Sequence, residues 1–496
     1  MEFSRQKADN PAAVEALRRD PVFSWFYEIS QIPHGSGNEK ALGQYLFERA
    51  AKMGISASID DYGNVLLKKD ASPGREDAPP ILLQAHLDMV CEKTAGIDHD
   101  FAADPIQWVI DGDFLSTGQR TTLGADDGIG VAMAMAVLED QHLSHPALEV
   151  LFTTNEEEDM SGALNFDTSA LRAGYMINLD HVKDDEILCG SCGGMEADIY
   201  IPVISEPPAE GSIPCRIGIL GLKGGHSGED IHRGRGNANI LMARLLMDLS
   251  DHLDLEIGPM RGGTFRLAIP RDAETIVWIP PAQIKTAKER ISLMLDLFRA
   301  ELPDTAGNLQ ISFRQMERSE LSQKDLWAVR PDRVVTAMVL MPDGIFQMNE
   351  AFPGIVDTSD NLGEVYLDAH TLHFVTEIRC ARESRGEYLL ARMCRLAELF
   401  GGTCHASNAY PSWYYRSESP LRDICTASYR DCFGDDPRYL LVHAGLEVGC
   451  LSRSMPALDA ISIGPNCRDF HSPSETLQIS SVHKTYQFLT SVLERI

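Results

Sequence analysis

Five short segments of the chain share one layout, in which a run of apolar residues typical of a strand is followed directly by an acidic or histidine side chain. The segments lie at 81–88, 123–130, 150–158, 175–180 and 460–473. In open α/β sheets, functional groups gather in the crevice beyond the carboxyl ends of the strands. The layout therefore predicts an α/β fold in which distant parts of the chain supply one site.

The length and charge of the chain restrict its organisation and its partners. A chain of 496 residues exceeds what one hydrophobic core usually holds, which favours two or three domains. The 44 basic and 73 acidic residues give a net charge of −29, which argues against nucleic acid as a partner. The N-terminal residues lack the apolar core of a signal peptide, no apolar run is long enough to span a membrane, and the 11 cysteines lack a disulfide-framework spacing. We therefore expect a cytoplasmic protein that binds neither nucleic acid nor membrane.

The spacing of apolar residues indicates a domain interrupted by another. From residue 23 to about 190, amphipathic helices alternate with short apolar strands, which predicts a mostly parallel sheet. Near Gly193 the pattern changes to that of an α+β domain. We expect a catalytic domain over 1–192 and 411–496, interrupted by an inserted domain over 193–410. Strand-like stretches at 334–347 and 363–378 and a helical stretch at 387–400 partly repeat an earlier pattern, so two similar halves in tandem are an option for the insert.

The first two segments can each be explained without a metal ion. His86 and Asp88 lie two positions apart and share a strand face, but such a pair is as common on a surface as in a site. The acidic residues at 126 and 127 open a predicted helix, where a carboxylate often caps the backbone. A cap alone does not account for the glycines on both sides of this acidic pair, which permit unusual backbone angles and close approach.

The remaining segments complete a possible set of metal ligands. Glu156 and Glu157 follow the strand-like residues at 150–153, and adjacent carboxylates suit a site in which one binds a metal ion and the other accepts a proton; an acidic helix start is the alternative. Asp180 and His471 bring the inventory to two histidines and three carboxylates. Nitrogen and oxygen ligands without cysteine favour zinc, with manganese or cobalt as alternatives. Five ligands with one bridging carboxylate suit two ions about 3.5–4 Å apart.

With these residues the chain resembles the aminoacyl-histidine dipeptidases, also called cytosol nonspecific or beta-alanyl-histidine dipeptidases, among the dinuclear zinc exopeptidases. The resemblance extends from about residue 29 onward and includes motifs outside the five segments. These motifs lie at 221–228, 232–239, 262–271, 358–363 and 443–449. Together they form a highly specific combination.

The resemblance implies a ligand set for two metal ions. It implies that His86, Asp126 and Asp180 bind one ion, and that Asp126, Glu157 and His471 bind the other. Asp126 then bridges the two ions. The resemblance also implies a cis peptide bond after Asp126.

Further residues acquire roles in hydrolysis from the same resemblance. Asp88 is implied to orient a metal-binding histidine, and Glu156 to act as general base on a hydroxide that bridges the metal ions. His226 is implied to donate a hydrogen bond to the oxyanion; a loop-capping histidine is the alternative. Arg379 is implied to bind the terminal carboxylate of the substrate, with Arg382 close to it in sequence.

Substrate recognition is less sharply defined by the resemblance. Asn237 is expected to bind substrate, and Glu447 either meets the free amine of a dipeptide or makes structural hydrogen bonds. Leu267 stands where the family commonly has asparagine, so the substrate range can differ. An alternative register makes Glu157 the base and Glu158 the ligand.

We therefore predict a zinc-dependent dipeptidase, cytoplasmic and homodimeric, that hydrolyses unblocked dipeptides of the Xaa-His type or more broadly. The insert is expected to act as a lid. An amidohydrolase of the same fold acting on N-acyl amino acids or another amide is the alternative. A non-catalytic binding protein is a more distant one, because the base and all five ligands are retained.

Overall fold

The computed structural model describes residues 11–496 of the chain. The helices are α1 (Pro11–Leu17), α2 (Pro21–Ser30), α3 (Lys40–Lys52), α4 (Ala125–Glu139), α5 (Ser161–Asn165), α6 (Ala238–His252), α7 (Ile284–Glu301), α8 (Pro331–Leu340), α9 (Glu383–Leu399), α10 (Pro420–Phe433), α11 (Glu447–Ser454) and α12 (Ile479–Arg495). The strands are β1 (Ser56–Ile59), β2 (Val65–Lys69), β3 (Ile81–His86), β4 (Val109–Asp111), β5 (Phe114–Ser116), β6 (Leu148–Thr153), β7 (Tyr175–Asn178), β8 (Glu186–Ser191), β9 (Gly193–Pro202), β10 (Ile213–Leu220), β11 (Gly225–His226), β12 (Glu256–Gly262), β13 (Ala268–Ile269), β14 (Ala273–Ile279), β15 (Gln310–Gln315), β16 (Gly344–Met348), β17 (Val356–Leu367), β18 (Thr371–Cys380), β19 (Thr403–Tyr410), β20 (Arg438–Val442), β21 (Asp459–Ser462), β22 (Cys467–Arg468) and β23 (Thr476–Gln478).

The chain divides into two compact units. The first runs to Gly190 and continues in Trp413–Leu441 and Leu446–Ile496. The second consists of Ser191–Ser412 and Val442–Gly445. The sequence pattern assigned His443 to the catalytic domain. The structure instead groups Val442–Gly445 with the inserted unit, in which the His443 ring contacts Ser359 of β17.

The first unit is built on an eight-stranded sheet of order β1-β2-β6-β3-β7-β21-β8-β20. Its central strands β6, β3, β7 and β21 are parallel, whereas β1 and β2 pair antiparallel on one side and β8 pairs antiparallel with β21 on the other. The predicted α/β class is confirmed, with the parallel strands at the centre. The carboxyl ends of four neighbouring strands therefore meet at one edge.

Helix α4 lies in the core of the first unit. It packs against β3 and α2, and nearly all of its residues are buried. Its alternating small and apolar residues leave no polar face, which is typical of a helix enclosed on all sides. This enclosure fixes the start of α4 against the sheet, next to the end of β3.

The second unit is a nine-stranded sheet in which β16 pairs with β17 and the other strands have the order β15-β10-β14-β12-β17-β18-β9-β19. All eight pairings between these strands are antiparallel. Without the short strands β11, β13 and β16, it contains two βαββαβ halves. One half is β10-α6-β12-β14-α7-β15, and the other is β9-α8-β17-β18-α9-β19. The halves meet where β12 pairs with β17.

The halves are nested and not in tandem, which corrects the expected order. Strand β9 precedes the whole first half in sequence, yet it pairs with β18 and β19 of the second half. The prediction of a strand over 334–347 is wrong for its first half, because α8 occupies 334–340 and only β16 is extended. Pro331 is the first residue of α8. The buried side chains of α8 belong to the same hydrophobic core as those of α6.

Two further findings concern the whole of the described chain. Within residues 11–496, no helix has both the length and the apolarity needed to cross a membrane. All 11 cysteines lie within this range and are free thiols.

Candidate active site

Five side chains from the five segments converge at the carboxyl edge of the parallel strands. His86 is the last residue of β3, Asp180 follows β7, Glu157 follows β6, and His471 lies in the loop after β22. Asp126 lies in the first turn of α4, where its φ and ψ of −85° and 107° are not helical. The peptide bond that follows it is cis, as expected. These positions bring together residues as far as 385 positions apart in the chain, from 86 to 471.

The five side chains form two groups that could each hold a metal ion. Ligand atoms of His86, Asp126 and Asp180 lie within 4.8 Å of one another, and so do those of Asp126, Glu157 and His471. His86 Nε2 is 3.2 Å from Asp126 Oδ1 and 3.7 Å from Asp180 Oδ1. His471 Nε2 is 3.3 Å from Asp126 Oδ2 and 2.8 Å from Glu157 Oε1. Asp126 thus turns one carboxylate oxygen toward each histidine, which is the geometry of a bridging ligand.

The pKa shifts show how strongly negative this group of residues is. Burial raises the pKa of Asp180 well above its usual value, and the charge of Asp126 raises it further. Burial alone would lower the pKa of His471, but hydrogen bonds with Asp126 and Glu157 raise it to about 10. His86 likewise has a pKa well above its usual value, because contacts with Asp126 and Asp88 outweigh its burial. Crowded carboxylates around two imidazoles, without a thiolate, fit a divalent cation that prefers nitrogen and oxygen ligands.

Asp88 holds two parts of this site in place. Its main-chain oxygen lies 2.9 Å from His86 Nδ1, so that ring nitrogen can donate to it and Nε2 remains as the metal-facing atom. Its carboxylate accepts hydrogen bonds from the backbone N–H of Glu156 and Glu157 at 3.0 and 3.1 Å, and from the Ser36 hydroxyl at 2.8 Å. The closest contact to His86 therefore comes from the main chain of Asp88, while its side chain fixes the turn that carries the two glutamates.

Glu156 lies close enough to His86 and Glu157 to form a third potential metal-binding group. Burial raises its pKa well above the usual range, and the charges of Glu157 and Glu447 add to the effect. A carboxyl group with a raised pKa is suited to transferring protons near neutral pH. Glu158 is exposed and belongs to none of the potential metal-binding groups in the described residues. This arrangement favours the register with Glu156 and Glu157 as the functional pair.

A cavity of about 420 Å³ borders Glu157. It is lined by Gly35, Ser36, Asn38, Met89, Val90, Cys91, Phe101, Ala102, Glu157 and Glu158. The charged side chains among these residues are both carboxylates. The cavity is therefore more favourable for a cationic or neutral group than for an anion.

The second unit contains a separate cluster around Arg379. The guanidinium of Arg379 is buried, with Nη1 donating to the Tyr410 hydroxyl at 2.8 Å and Nε donating to Ser227 Oγ at 3.3 Å. Tyr410 in turn donates to Glu377 Oε1 at 3.1 Å. Burial alone would lower the pKa of Arg379, but Tyr410 and Glu377 raise it above its usual value, so the guanidinium stays charged. A buried, fixed guanidinium is suited to binding a carboxylate.

His226 lies on β11 in the same unit, and its hydrogen bonds define which ring nitrogen carries the proton. Nδ1 accepts hydrogen bonds from the backbone N–H of Gly228 and Glu229 at 3.3 and 3.0 Å. In the neutral ring the proton is therefore on Nε2. This tautomer makes Nε2 a hydrogen-bond donor, as an oxyanion-binding histidine requires.

Residues 82–495 match the profile of Peptidase family M20/M25/M40, which covers most of the chain. The chain belongs to this family.

Two relatives support the narrower resemblance within the family. The cytosol non-specific dipeptidase of Escherichia coli (strain K12) is 35% identical over 480 residues, which is 97% of this chain and 98% of that protein. The aminoacylhistidine dipeptidase of Vibrio alginolyticus has 34% identity and a TM-score of 0.86, covering 97% of this chain and 98% of that one. The resemblance to the aminoacyl-histidine dipeptidases is thus confirmed.

A more distant structure shares the fold alone. Aminopeptidase PepT from Bacillus cereus ATCC 10987 has 14% identity and a TM-score of 0.53, covering 96% of this chain and 98% of that chain. The fold is therefore shared at low sequence identity.

Two residues expected to bind substrate have other contacts in this peptidase. Asn237 caps α6: its side-chain oxygen accepts from the backbone N–H of Asn239 at 2.9 Å, and its nitrogen donates to Asp343 at 2.9 Å and to Leu362 O at 3.1 Å. Glu447 is fully buried, and its Oε2 accepts from two side chains on β3 and β6. These contacts correspond to the structural alternative for Glu447 and give Asn237 a capping role.

Leu267 lies half-buried in the turn before β13. Its main-chain oxygen accepts a hydrogen bond from Ser227 N at 2.8 Å. Ser227 is also the partner of Arg379. Leu267, which stands where the family commonly has asparagine, therefore lies beside the Arg379 cluster.

The sequence patterns did not single out Glu475, which lies beneath the loop that carries Asp126. Glu475 is buried, and its carboxylate accepts from main-chain N–H groups about 350 positions earlier in the chain and from the Cys467 thiol at 3.8 Å. Backbone donors leave no mark in a sequence, so only the folded chain reveals this contact.

Proposed function

We propose that this member of the M20/M25/M40 family is a metal-dependent dipeptidase that hydrolyses unblocked dipeptides. The observation that carries the proposal is the position of the Asp126 carboxylate, with Oδ1 3.2 Å from one histidine and Oδ2 3.3 Å from the other. The relative with 35% identity, named a cytosol non-specific dipeptidase, supports the substrate class.

We assign two divalent metal ions, most consistently zinc, to the two ligand groups that share Asp126. Such ions polarise a carbonyl oxygen and lower the pKa of water toward about 7. Glu156 is the general base: its carboxylate takes a proton from the attacking water and delivers it to the nitrogen of the leaving amine. Asp88 holds the turn of Glu156 through the two backbone contacts.

In the second unit, we assign Arg379 to the terminal carboxylate of the substrate and His226 to the oxygen that becomes negative in the transition state. The buried charge of Arg379 and its fixed hydrogen bonds support the first role. The Nε2 proton of His226 supports the second, because Nδ1 already accepts two backbone hydrogen bonds. One lost oxyanion donor typically lowers kcat by about 10²–10³.

The acidic cavity beside Glu157 supports a substrate with a free amine. Its charged lining groups are Glu157, whose charge a bound metal ion would offset, and Glu158, so Glu158 is the carboxylate that favours a protonated amine there over a second carboxylate. The amidohydrolase acting on N-acyl amino acids remains the alternative, because Leu267 departs from the family residue.

The test is metal content and hydrolysis measured on one purified sample. The substrates are beta-Ala-His, Gly-His, Leu-Gly and their N-acetylated analogues. We expect about two zinc equivalents per chain and cleavage of the free dipeptides only. Two metal ions with cleavage of only the acetylated compounds would favour the alternative, and a protein without stoichiometric metal would refute the site.

A variant separates catalysis from metal binding in the same assay. Glu156→Gln removes the proton acceptor but keeps the size of the side chain. We expect kcat to fall by about 10²–10⁴ while zinc content is retained. Hydrolysis that survives both this change and chelation would exclude the mechanism.

The homodimer and the cytoplasmic location remain predictions. The oligomeric state can be measured by light scattering on the purified chain. A mass of about 110 kDa is expected for a dimer, twice the 54.8 kDa of the chain.

A further inference from the structure

Glu475 is a buried carboxylate that binds three consecutive backbone N–H groups. Its Oε2 accepts from Leu123 N at 2.6 Å and from Gly124 N at 3.1 Å, and its Oε1 accepts from Ala125 N at 2.8 Å. Glu475 itself is 2% exposed. The first N–H groups of a helix lack intrahelical partners, so a carboxylate satisfies donors that would otherwise be buried without one.

These contacts join the two loops that carry neighbouring ligand side chains. The three bound residues immediately precede Asp126, and Glu475 lies four residues after His471. Asp126 Oδ2 and His471 Nε2 are 3.3 Å apart. Each loop contains a residue in the left-handed region, with a φ of 60° at His471 and 70° at Gly124, and this conformation is uncommon for a residue other than glycine.

We propose that Glu475 is a positioning residue of the metal centre, which holds the Asp126 loop and the His471 loop at the separation that a shared metal ion requires. The inference rests on the proposed metal dependence. Glu475 does not belong to any of the potential metal-binding groups in the described residues. Its effect is therefore exerted through the backbone of residues 123–125.

Glu475→Gln tests the proposal with little change in size. The amide has one acceptor oxygen in place of two, and its NH₂ group faces a backbone N–H donor. Residues that orient metal ligands typically change metal affinity by about 10–100-fold when they are replaced. We expect a loss of this size for the ion bound by Asp126, Glu157 and His471.

Glu149 provides a matched control in the same unit. It is 5% exposed, and its Oε2 accepts from Arg172 N at 2.8 Å and from Ala173 N at 3.0 Å. It lies on β6 and belongs to none of the metal-binding groups among residues 11–496. Glu149→Gln therefore perturbs two backbone hydrogen bonds away from the site, and it also removes the ion pair of Glu149 Oε1 with Lys68 Nζ at 3.1 Å.

The measurement is zinc affinity by chelator competition, together with the Tm of the metal-free protein. The proposal predicts that Glu475→Gln binds one of two zinc equivalents at least about 10-fold more weakly, whereas Glu149→Gln keeps wild-type affinity. Equal affinity losses in both variants, or unchanged affinity in Glu475→Gln, would overturn it. The Tm values show how far each variant is destabilised as a fold.

A second variant covers the case in which Glu475→Gln does not fold. Glu475→Asp keeps the charge and both oxygens but is one methylene shorter. It should fold and weaken the same zinc equivalent by a smaller factor, and unchanged affinity would contradict the proposal. If the wild-type protein itself binds no zinc, the proposed function fails together with this inference. Wild-type binding with unaffected variants refutes the positioning role alone.

Discussion

Glu157 and Glu158 are neighbours in sequence, but only Glu157 faces the other candidate ligands. Glu157 Oε1 is 2.8 Å from His471 Nε2, whereas Glu158 is exposed. We predict that Glu157→Gln lowers zinc content from about two equivalents to about one, and that Glu158→Gln retains both. Metal analysis after equilibrium dialysis measures this difference. Loss of zinc in Glu158→Gln alone would favour the alternative register.

His443 is a buried histidine whose protonation opposes folding. Burial lowers its pKa to about 3, and the charge of Arg379 contributes. Its Nε2 lies 2.7 Å from Ser359 Oγ. The unfolded chain has a histidine pKa of about 6.5, so between these values the unfolded state binds more protons. The stabilisation is complete above pH about 6.5 and is lost as the pH falls toward about 3, with a slope of up to about 1.4 kcal/mol per pH unit.

The variant His443→Gln tests this pH dependence. We predict that the wild-type free energy of unfolding falls more steeply than that of the variant between pH 6.5 and 4, in urea titrations at several pH values. His142 is exposed, and His142→Gln serves as the control with a wild-type slope. A difference between wild type and His443→Gln that does not change with pH would contradict the shift.

His86, Glu157 and Asp180 could be predicted residue by residue because each ends or follows an apolar strand, and the sheet brings strand ends together. Asp126 lies instead in the first turn of α4, and His471 lies in the loop after β22. Glu475 and the position of His443 could not be predicted from the sequence, for a physical reason. Glu475 binds main-chain N–H groups, which every residue but proline has. His443 lies between stretches of the catalytic unit but contacts Ser359 of the insert. Sequence proximity predicted the wrong unit for it.

At the scale of elements, predictions succeeded where apolar spacing is regular and local. Apolar residues at helical spacing over 40–53, 287–300 and 421–432 predict helices, and α3, α7 and α10 occupy these stretches. The apolar pattern at 264–269 predicts a strand, but only Ala268–Ile269 pairs, because the preceding residues form the turn after β12. Val334 and its neighbours look like a strand by composition, yet a helix buries them against α6. Tertiary packing overrides β-propensity there.

The cap of α6 gives a prediction at this scale. The side chain of Asn237 accepts a hydrogen bond from the backbone N–H of Asn239. It donates hydrogen bonds to the Asp343 carboxylate and to the Leu362 carbonyl oxygen. We predict that Asn237→Ala lowers the free energy of unfolding by about 2 kcal/mol, since it removes a helix cap and leaves buried partners unsatisfied. The matched change Asn239→Ala removes a bond to the same Leu362 O without removing the cap oxygen, and should cost less.

Kinetics on these two variants separate capping from substrate binding. If Asn237 is only a cap, kcat and KM of the folded variant stay at wild-type values under conditions where the protein is native. A raised KM in Asn237→Ala but not in Asn239→Ala would restore the substrate-binding role that the resemblance implied.

For the whole molecule, length predicted more than one domain, and the change of apolar spacing near Gly193 predicted an insertion. The sequence pattern did not predict the nesting of the two halves. Strand β9 adjoins β18 and β19 only because antiparallel pairing completes the second half. Nothing in its residues distinguishes β9 from the first strand of the half that follows it. Long-range pairing of this kind is decided by the sheet as a whole.

The two ends of the insert are close together, which allows it to be removed. A Cβ added at Gly190 would lie 3.1 Å from Trp413 O. The five candidate ligands all belong to the first unit, which has its own hydrophobic core. We predict that a variant in which a short Gly-Ser linker replaces residues 191–412 still folds and binds about two zinc equivalents, because bound metal stabilises the folded unit.

The same variant should be inactive on dipeptides, because Arg379 and His226 are absent from it. Circular dichroism and metal analysis measure the first half of this prediction, and the dipeptide assay measures the second. Adding Asp126→Asn to the variant is the control and should abolish zinc binding, since both ligand groups share that carboxylate. A folded variant without zinc would mean that the metal centre depends on the insert. Retained hydrolysis would mean that the first unit alone binds and cleaves the substrate, which would remove Arg379 and His226 from the mechanism.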